Sequence, residues 1–242
     1  FLLQPSTFIL HTYRTMLGFL TKYVFLGAAQ RRLYQNGPAI LMYHRIADSD
    51  TWDRLAVPPR RFASQVEFLV REGYCLISMD EVLDLLTGAR DYEPRRRYVT
   101  LTFDDGYRDN FTHASPILNR HGLPATIFLV TNNIEGNKNP ACLTWPEIAL
   151  MQKTGIRFGS HTLNHALLTA IPPEEASREI AMSKQCLEEK LGVAVRFFCY
   201  PRGACNAAVR DGVIQSGYAL ACSVRPGPNS PRTDRFQLRR TE

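Results

Sequence analysis

The chain has 242 residues, of which 45% are hydrophobic and 21% charged, and 29 Lys and Arg stand against 23 Asp and Glu for a formal charge of +6. With only 15 Gly and 15 Pro, this composition excludes collagen-like, disordered and low-complexity chains and leaves one globular domain with a sizeable core as the default. The positive excess sits in residues 1–47, where Arg14, Lys22, Arg31, Arg32 and Arg45 occur without an acid, so it does not form the basic surface stripe of a nucleic-acid-binding protein.

In chain order, residues 1–37 come first as a basic, apolar arm. Leu10, Tyr13, Leu17, Leu20 and Val24 recur at helical spacing, and Arg14 and Lys22 interrupt any run long enough to span a bilayer. Such a helix suits either a membrane surface or the flank of its own domain. From residue 38 to 242, short β-branched or aromatic runs alternate with helical patterns, the signature of a parallel sheet covered by helices. The expected elements are strand Ala39–His44, helix Pro59–Glu72, strand Tyr98–Asp105, helix Asn110–Arg120, strand Ala125–Thr131, helix Trp145–Lys153, strand Ile156–His161, helix Pro173–Leu191, and strands Val195–Pro201 and Tyr218–Val224. No G-x-G-x-x-G follows any strand, so the expected fold class is α/β, a deformed (β/α) barrel with about seven parallel strands, rather than a dinucleotide-binding fold. Cys75, Cys142, Cys186, Cys199, Cys205 and Cys222 show no C-x-x-C spacing, which argues against a zinc ribbon or a thioredoxin-like site.

In such a barrel, chemistry gathers at the C-terminal ends of strands. Four places stand there: Tyr43-His44-Arg45, Asp104-Asp105-Gly106, His161 to His165 and Tyr200-Pro201-Arg202-Gly203. Asp104-Asp105-Gly106 places adjacent carboxylates where an apolar strand stops, which is costly unless a cation or proton separates them, although an Asp pair can also cap a helix. His161 and His165 are spaced i, i+4, so on one helical face both imidazoles would reach one divalent metal; a solvated pair is the bland alternative. Two His and one Asp would leave coordination positions open for water and substrate, as catalytic metals require. His11, His113 and His121 lack such company.

Thr102-Phe103-Asp104-Asp105-Gly106, His161-Thr162-x-x-His165 and Tyr200-Pro201-Arg202-Gly203 together resemble the polysaccharide deacetylase family, carbohydrate esterase family 4. That resemblance implies metal-dependent hydrolysis of N-acetyl groups on amino sugars, with an N-acetylated polysaccharide of the bacterial cell surface or an exopolysaccharide as partner. It also implies one divalent ion held by Asp105, His161 and His165, commonly zinc, with cobalt, nickel, iron or manganese compatible. Asp104 would be the general base, and the backbone N–H of Arg202 would face the oxyanion. Tyr200, Pro201 and Trp145 are further candidates for substrate contact, although a Trp that opens a helix also suits packing. The chain departs from the family pattern at Cys199, where many members carry Arg, and at its end, where Phe236-Gln237-Leu238-Arg239-Arg240 replaces a Leu-His. The usual acid is therefore missing. Leu41-Met42-Tyr43-His44-Arg45-Ile46 resembles the N-terminal segment of the poly-N-acetylglucosamine deacetylase subgroup, which makes His44 the candidate acid, a buried histidine hydrogen-bonded at a strand end being the alternative. An amidohydrolase of small, non-glycan amides and a non-catalytic glycan-binding protein of the same fold are the alternatives. An envelope or membrane-associated location accords with the arm and the substrate class.

Overall fold

The computed structural model describes residues 37–48, 53–93, 95–134 and 141–242; residues 1–36 of the expected arm lie outside the described residues. Seven strands form one parallel, curled sheet: β1 Ala39–Tyr43, β2 Cys75–Leu76, β3 Tyr98–Phe103, β4 Ala125–Leu129, β5 Ile156–Ser160, β6 Phe197–Cys199 and β7 Leu220–Cys222. Their order is β1-β3-β4-β5-β6-β7, and the short β2 pairs with the start of β3. This is an α/β half-barrel. Among the described residues β1 and β7 do not pair with each other; the C-terminal segment lies between them. Leu238 N–H bonds Ala221 O at 2.9 Å, and Thr241 N–H and O bond Ile40 O and Met42 N–H at 2.9 and 2.8 Å. Both sheet edges thereby lose the exposed backbone groups that invite pairing with other chains.

The helices are α1 Pro59–Arg71, α2 Met79–Thr87, α3 Ser115–Arg120, α4 Thr131–Ile134, α5 Trp145–Gln152, α6 Pro173–Leu191 and α7 Ala207–Gln215. Capping boxes start α2 and α5: the hydroxyls of Ser78 and Thr144 accept from the N–H of Glu81 and Glu147, whose carboxylates return to the cap N–H groups. The helix expected over 110–120 is divided, with a π turn at Asn110–Ala114 before α3. Pro116 lacks the N–H that an unbroken α-helix would direct to Thr112, and the wider turn lets Ser115 N–H reach Asn110 O. Among the described residues no helix is long and apolar enough to cross a membrane.

Alternation along the strands sorts the core into two layers. Val99, Leu101, Phe103, Ile127, Leu129, Phe158 and Phe198 face the covering helices. Ile40, Tyr98, Phe128, Phe197, Leu220 and Leu238 form the second layer, which α2 fills with Met79, Val82, Leu83, Leu85 and Leu86. Where the strands end, this second face turns polar, with Thr102, Asp104, His161 and Arg240 all buried.

Candidate functional site

The apolar run of β3 stops at Phe103, and Asp104 N–H bonds Tyr43 O at 2.9 Å, which holds the next residue against the end of β1. The backbone then reverses at once, because Asp105 and Gly106 both adopt positive φ, 70° and 71°. Only glycine suits the second position: a Cβ there would lie 2.7 Å from Leu129 Cδ2. The two adjacent carboxylates consequently have different partners. Neither caps a helix.

Asp105 meets the histidines. Its Oδ1 lies 3.6 Å from His161 Nε2 and 3.5 Å from His165 Nε2. These separations are close to the edge of about 3.4 Å expected for a tetrahedron with metal–ligand bonds near 2.0–2.1 Å. His161 Nδ1 lies 2.7 Å from Cys199 O, an acceptor only, so Nδ1 carries the proton and the Nε2 lone pair faces Asp105. Burial pushes the His161 imidazole further toward its neutral, ligating form, against the raising effect of Asp104 and Asp105. Two imidazoles and one carboxylate at these distances suit a single divalent ion, and they would leave positions free for small ligands.

The histidines do not share a helical face, contrary to the i, i+4 expectation. Residues 161–170 are not helical, and the rings, 4.9 Å apart, are brought together by positive φ at Thr162 and His165, 69° and 57°. Buried Glu179 on α6 holds this loop: its two oxygens accept from Asn164 N–H at 2.9 Å and from the Asn164 side-chain amide at 2.6 Å. Thr131 and Asn132 N–H bond Thr162 O and Leu163 O, so the opening of α4 braces the other side.

Asp104 is 2% exposed and paired in two places with Arg240, itself 1% exposed: Nη1 to Oδ1 and Nη2 to Oδ2, both 2.7 Å. Burial alone would raise the Asp104 pKa. The charge and hydrogen bonds of Arg240, aided by His161 and His44, outweigh that effect and hold the carboxyl well below the usual range. Cys199 Sγ stands 3.0 Å from Arg240 Nη2 and 3.5 Å from Asp104 Oδ2, and burial keeps its thiol protonated. His44 Nε2 lies 4.0 Å from Asp104 Oδ2 at the half-open rim.

The polysaccharide deacetylase family profile matches residues 91–221. YxkH of Bacillus subtilis, described as a polysaccharide deacetylase, is 32% identical over 201 residues, which cover 83% of this chain and 69% of that one. The chain belongs to the polysaccharide deacetylase family. The poly-beta-1,6-N-acetyl-D-glucosamine N-deacetylase of Staphylococcus epidermidis is 24% identical over 85% of this chain and 78% of its own. The solved structure of the Streptococcus pyogenes deacetylase PplD, in complex with acetate, superposes with a TM-score of 0.78 at 30% identity, over 84% of this chain and 90% of that one. The chain is thus a carbon–nitrogen hydrolase with the family's de-N-acetylase activity, which releases acetate.

The remaining candidates of this deacetylase are spread differently. The Tyr200 side chain is fully buried, with its hydroxyl donating to Phe236 O at 2.9 Å and its ring 5.2 Å from Phe198. It belongs to the layer under the helices and not to a sugar groove, because β6 alternation turns residue 200 away from residue 199. Pro201 is buried as well. Arg202 is exposed on a tight turn with φ 56°, so the motif presents its backbone at this point. Trp145 opens α5, half-buried against the core with Lys190 Nζ 5.8 Å from its ring centroid, the packed alternative for this residue. His113 serves the fold, with Nδ1 2.8 Å from Ile46 O.

Two contributors escape a reading by motif. Arg240 is 136 residues from Asp104 along the chain and lies in a tail that departs from the family pattern. Its only signal was a missing cation, since a buried carboxylate beside Cys199 needs one from elsewhere. Glu179 reads as one more charge on an amphipathic helix.

Proposed function

We propose that the enzyme removes N-acetyl groups from amino sugars of a bacterial exopolysaccharide or cell-surface polysaccharide, on a deformed (β/α) barrel whose remaining gap the C-terminal segment fills. The observation that carries this reading is the convergence of Asp105, His161 and His165 beside a separately held carboxylate, Asp104. Asp105, His161 and His165 would hold one divalent ion, zinc being the best match to two imidazoles and a carboxylate. When bound, such an ion acidifies water and polarises an acyl oxygen.

The side chains supply the rest. Asp104 is the general base: Arg240 favours its ionised form and fixes both oxygens, so it accepts a proton in one orientation. The same pairing lowers its affinity for that proton, which favours passing it on. Departure of the sugar amine requires protonation, because an amide anion is a very poor leaving group. His44, at the rim and 4.0 Å from Asp104, is the acid. The Arg202 N–H, on its left-handed turn, is the donor for the developing oxyanion. The family relative that acts on poly-β-1,6-N-acetylglucosamine supports an amino-sugar polymer over a small amide.

The test is acetate release from N-acetylglucosamine oligomers. Release that chelation abolishes and added zinc restores is the expected result. If no acetylated amino-sugar polymer yields acetate from the zinc-loaded enzyme, the reading fails.

A further inference from the structure

The C-terminal part of the molecule carries a feature that hydrolysis does not use. Between the loop after β7 and the closing segment lies an open cleft of about 290 Å³, whose walls include Arg225, Arg232, Arg239, Ser230 and Asp234. Among the described residues no carboxylate lies within ion-pair distance of Arg225, Arg232 or Arg239. Asp234, the acid on the wall, is already occupied by Arg210, with Nε 2.6 Å from Oδ2 and Nη2 3.3 Å from Oδ1. Three cations therefore share one concavity whose negative charge is spent elsewhere, an arrangement that favours an anion.

The walls are built by the fold. Asn229, 1% exposed, accepts from Arg239 N–H at 2.9 Å and donates to Arg239 O at 2.9 Å, which fixes that residue's backbone from both sides. Gly227, at φ 131°, gives the Arg239 side chain its path: a Cβ there would lie 3.2 Å from Nη1. Ser230 N–H and Arg232 N–H bond Thr233 Oγ1 and Ser230 Oγ, which shapes the turn that presents Arg232.

The cleft adjoins the hydrolytic mouth through shared backbone. Arg225 O accepts from Arg240 N–H at 2.9 Å, and Arg240 is the residue whose guanidinium holds Asp104. Arg239 is exposed and Arg240 buried, so the same extended segment carries one arginine outward to the cleft and the next inward to the base. On the other side, the 201–203 turn rests on the residue before Arg225: a Cβ on Gly203 would be 2.8 Å from Val224 N.

We propose that the cleft is a subsite for a phosphate- or carboxylate-bearing unit of the polysaccharide, flanking the amino sugar that is deacetylated; this rests on the hydrolytic reading above. Guanidinium groups suit such oxyanions because their planar forks match paired oxygens. The substrate class is thereby narrowed from acetylated glycans in general to anionic ones.

The full chain is compared with the Arg225→Gln, Arg232→Gln, Arg239→Gln triple variant, all three positions being exposed. Calorimetry with inorganic phosphate reads the cleft without turnover. Acetate release is then measured from a neutral N-acetylglucosamine oligomer and from the same oligomer carrying phosphate groups. Phosphate should bind the parent and not the variant, and the variant's KM for the phosphorylated oligomer should rise about tenfold, with kcat and the neutral oligomer unaffected. No phosphate binding to the parent, or equal effects on both oligomers, would overturn the subsite. Arginine-dependent binding to phosphatidylglycerol vesicles without the KM effect would assign the charges to a lipid surface and overturn it too. Absence of acetate release from both oligomers removes the hydrolytic reading itself, whereas loss of phosphate binding alone removes only the subsite.

Discussion

The two ends of the second core layer are lined by the same alternating strand positions, yet they do opposite things. At its closed end Ile40, Tyr98, Phe197 and Leu220 meet the apolar side of α2. At its mouth, Thr102, Asp104, Cys199 and Arg240 form a buried polar cluster joined by hydrogen bonds and an ion pair. The closed end gains free energy from removing apolar surface from water, whereas the mouth spends desolvation energy to hold charges in one geometry. The half-barrel thus pairs a stabilising base with a costly reactive rim, and substitutions should separate the two.

The largest effect is expected for Asp104→Asn. It keeps the shape of the mouth but removes the carboxylate proposed as the base, and acetate release should fall by about 10²–10⁴-fold with bound metal retained, read by turnover and by metal analysis of the same sample. Full activity in this variant would mean that the polar cluster serves folding alone. Arg240→Met should cost about 3–5 kcal/mol of stability in denaturant unfolding, since it leaves a buried carboxylate without its cation, and should lower turnover as well. Met79→Ala at the closed end should cost a similar ~2–5 kcal/mol by leaving a cavity, but with turnover per folded molecule unchanged. Equal loss of turnover in both would erase the distinction between base and rim.

A smaller effect tests what shapes the mouth. Glu179→Gln removes one of the two oxygens that hold Asn164, so the His165 loop should loosen and zinc affinity should drop about 10–100-fold, measured by competition with a chromophoric chelator. The smallest effect lies outside both ends. Burial raises the Asp234 pKa, but Arg210 and the Phe236 N–H outweigh it, so the folded value lies below the unfolded one. The stability it contributes is complete above the ordinary carboxylate value and is lost as pH falls through the depressed one. Asp234→Asn should therefore flatten the acid limb of a stability–pH curve by no more than about 1 kcal/mol, because the pair is partly exposed.

Much of the architecture was legible in the chain. The six longer strands were visible as β-branched and aromatic runs, and α6 was readable from Pro173 to its Gly192 stop because burial on one side imposes a period. Cys75–Leu76 was not visible, since two residues display no period, and α2 was passed over although Ser78 and Glu81 form a capping box. Tyr200 read as a candidate for substrate contact because a motif does not disclose which way a side chain at a strand end turns.

The chain by itself determined which groups are the candidates for the chemistry: Asp104, Asp105, His161 and His165 follow short, locally encoded strands, and their residue types limit what they could bind. Only the tertiary structure decided how those groups are held. The histidines converge through left-handed backbone instead of a helix, and the cation for Asp104 arrives from the far end of the chain. Contacts between residues so distant in sequence arise when the C-terminal segment lies down between β1 and β7, and no local period or propensity records that event.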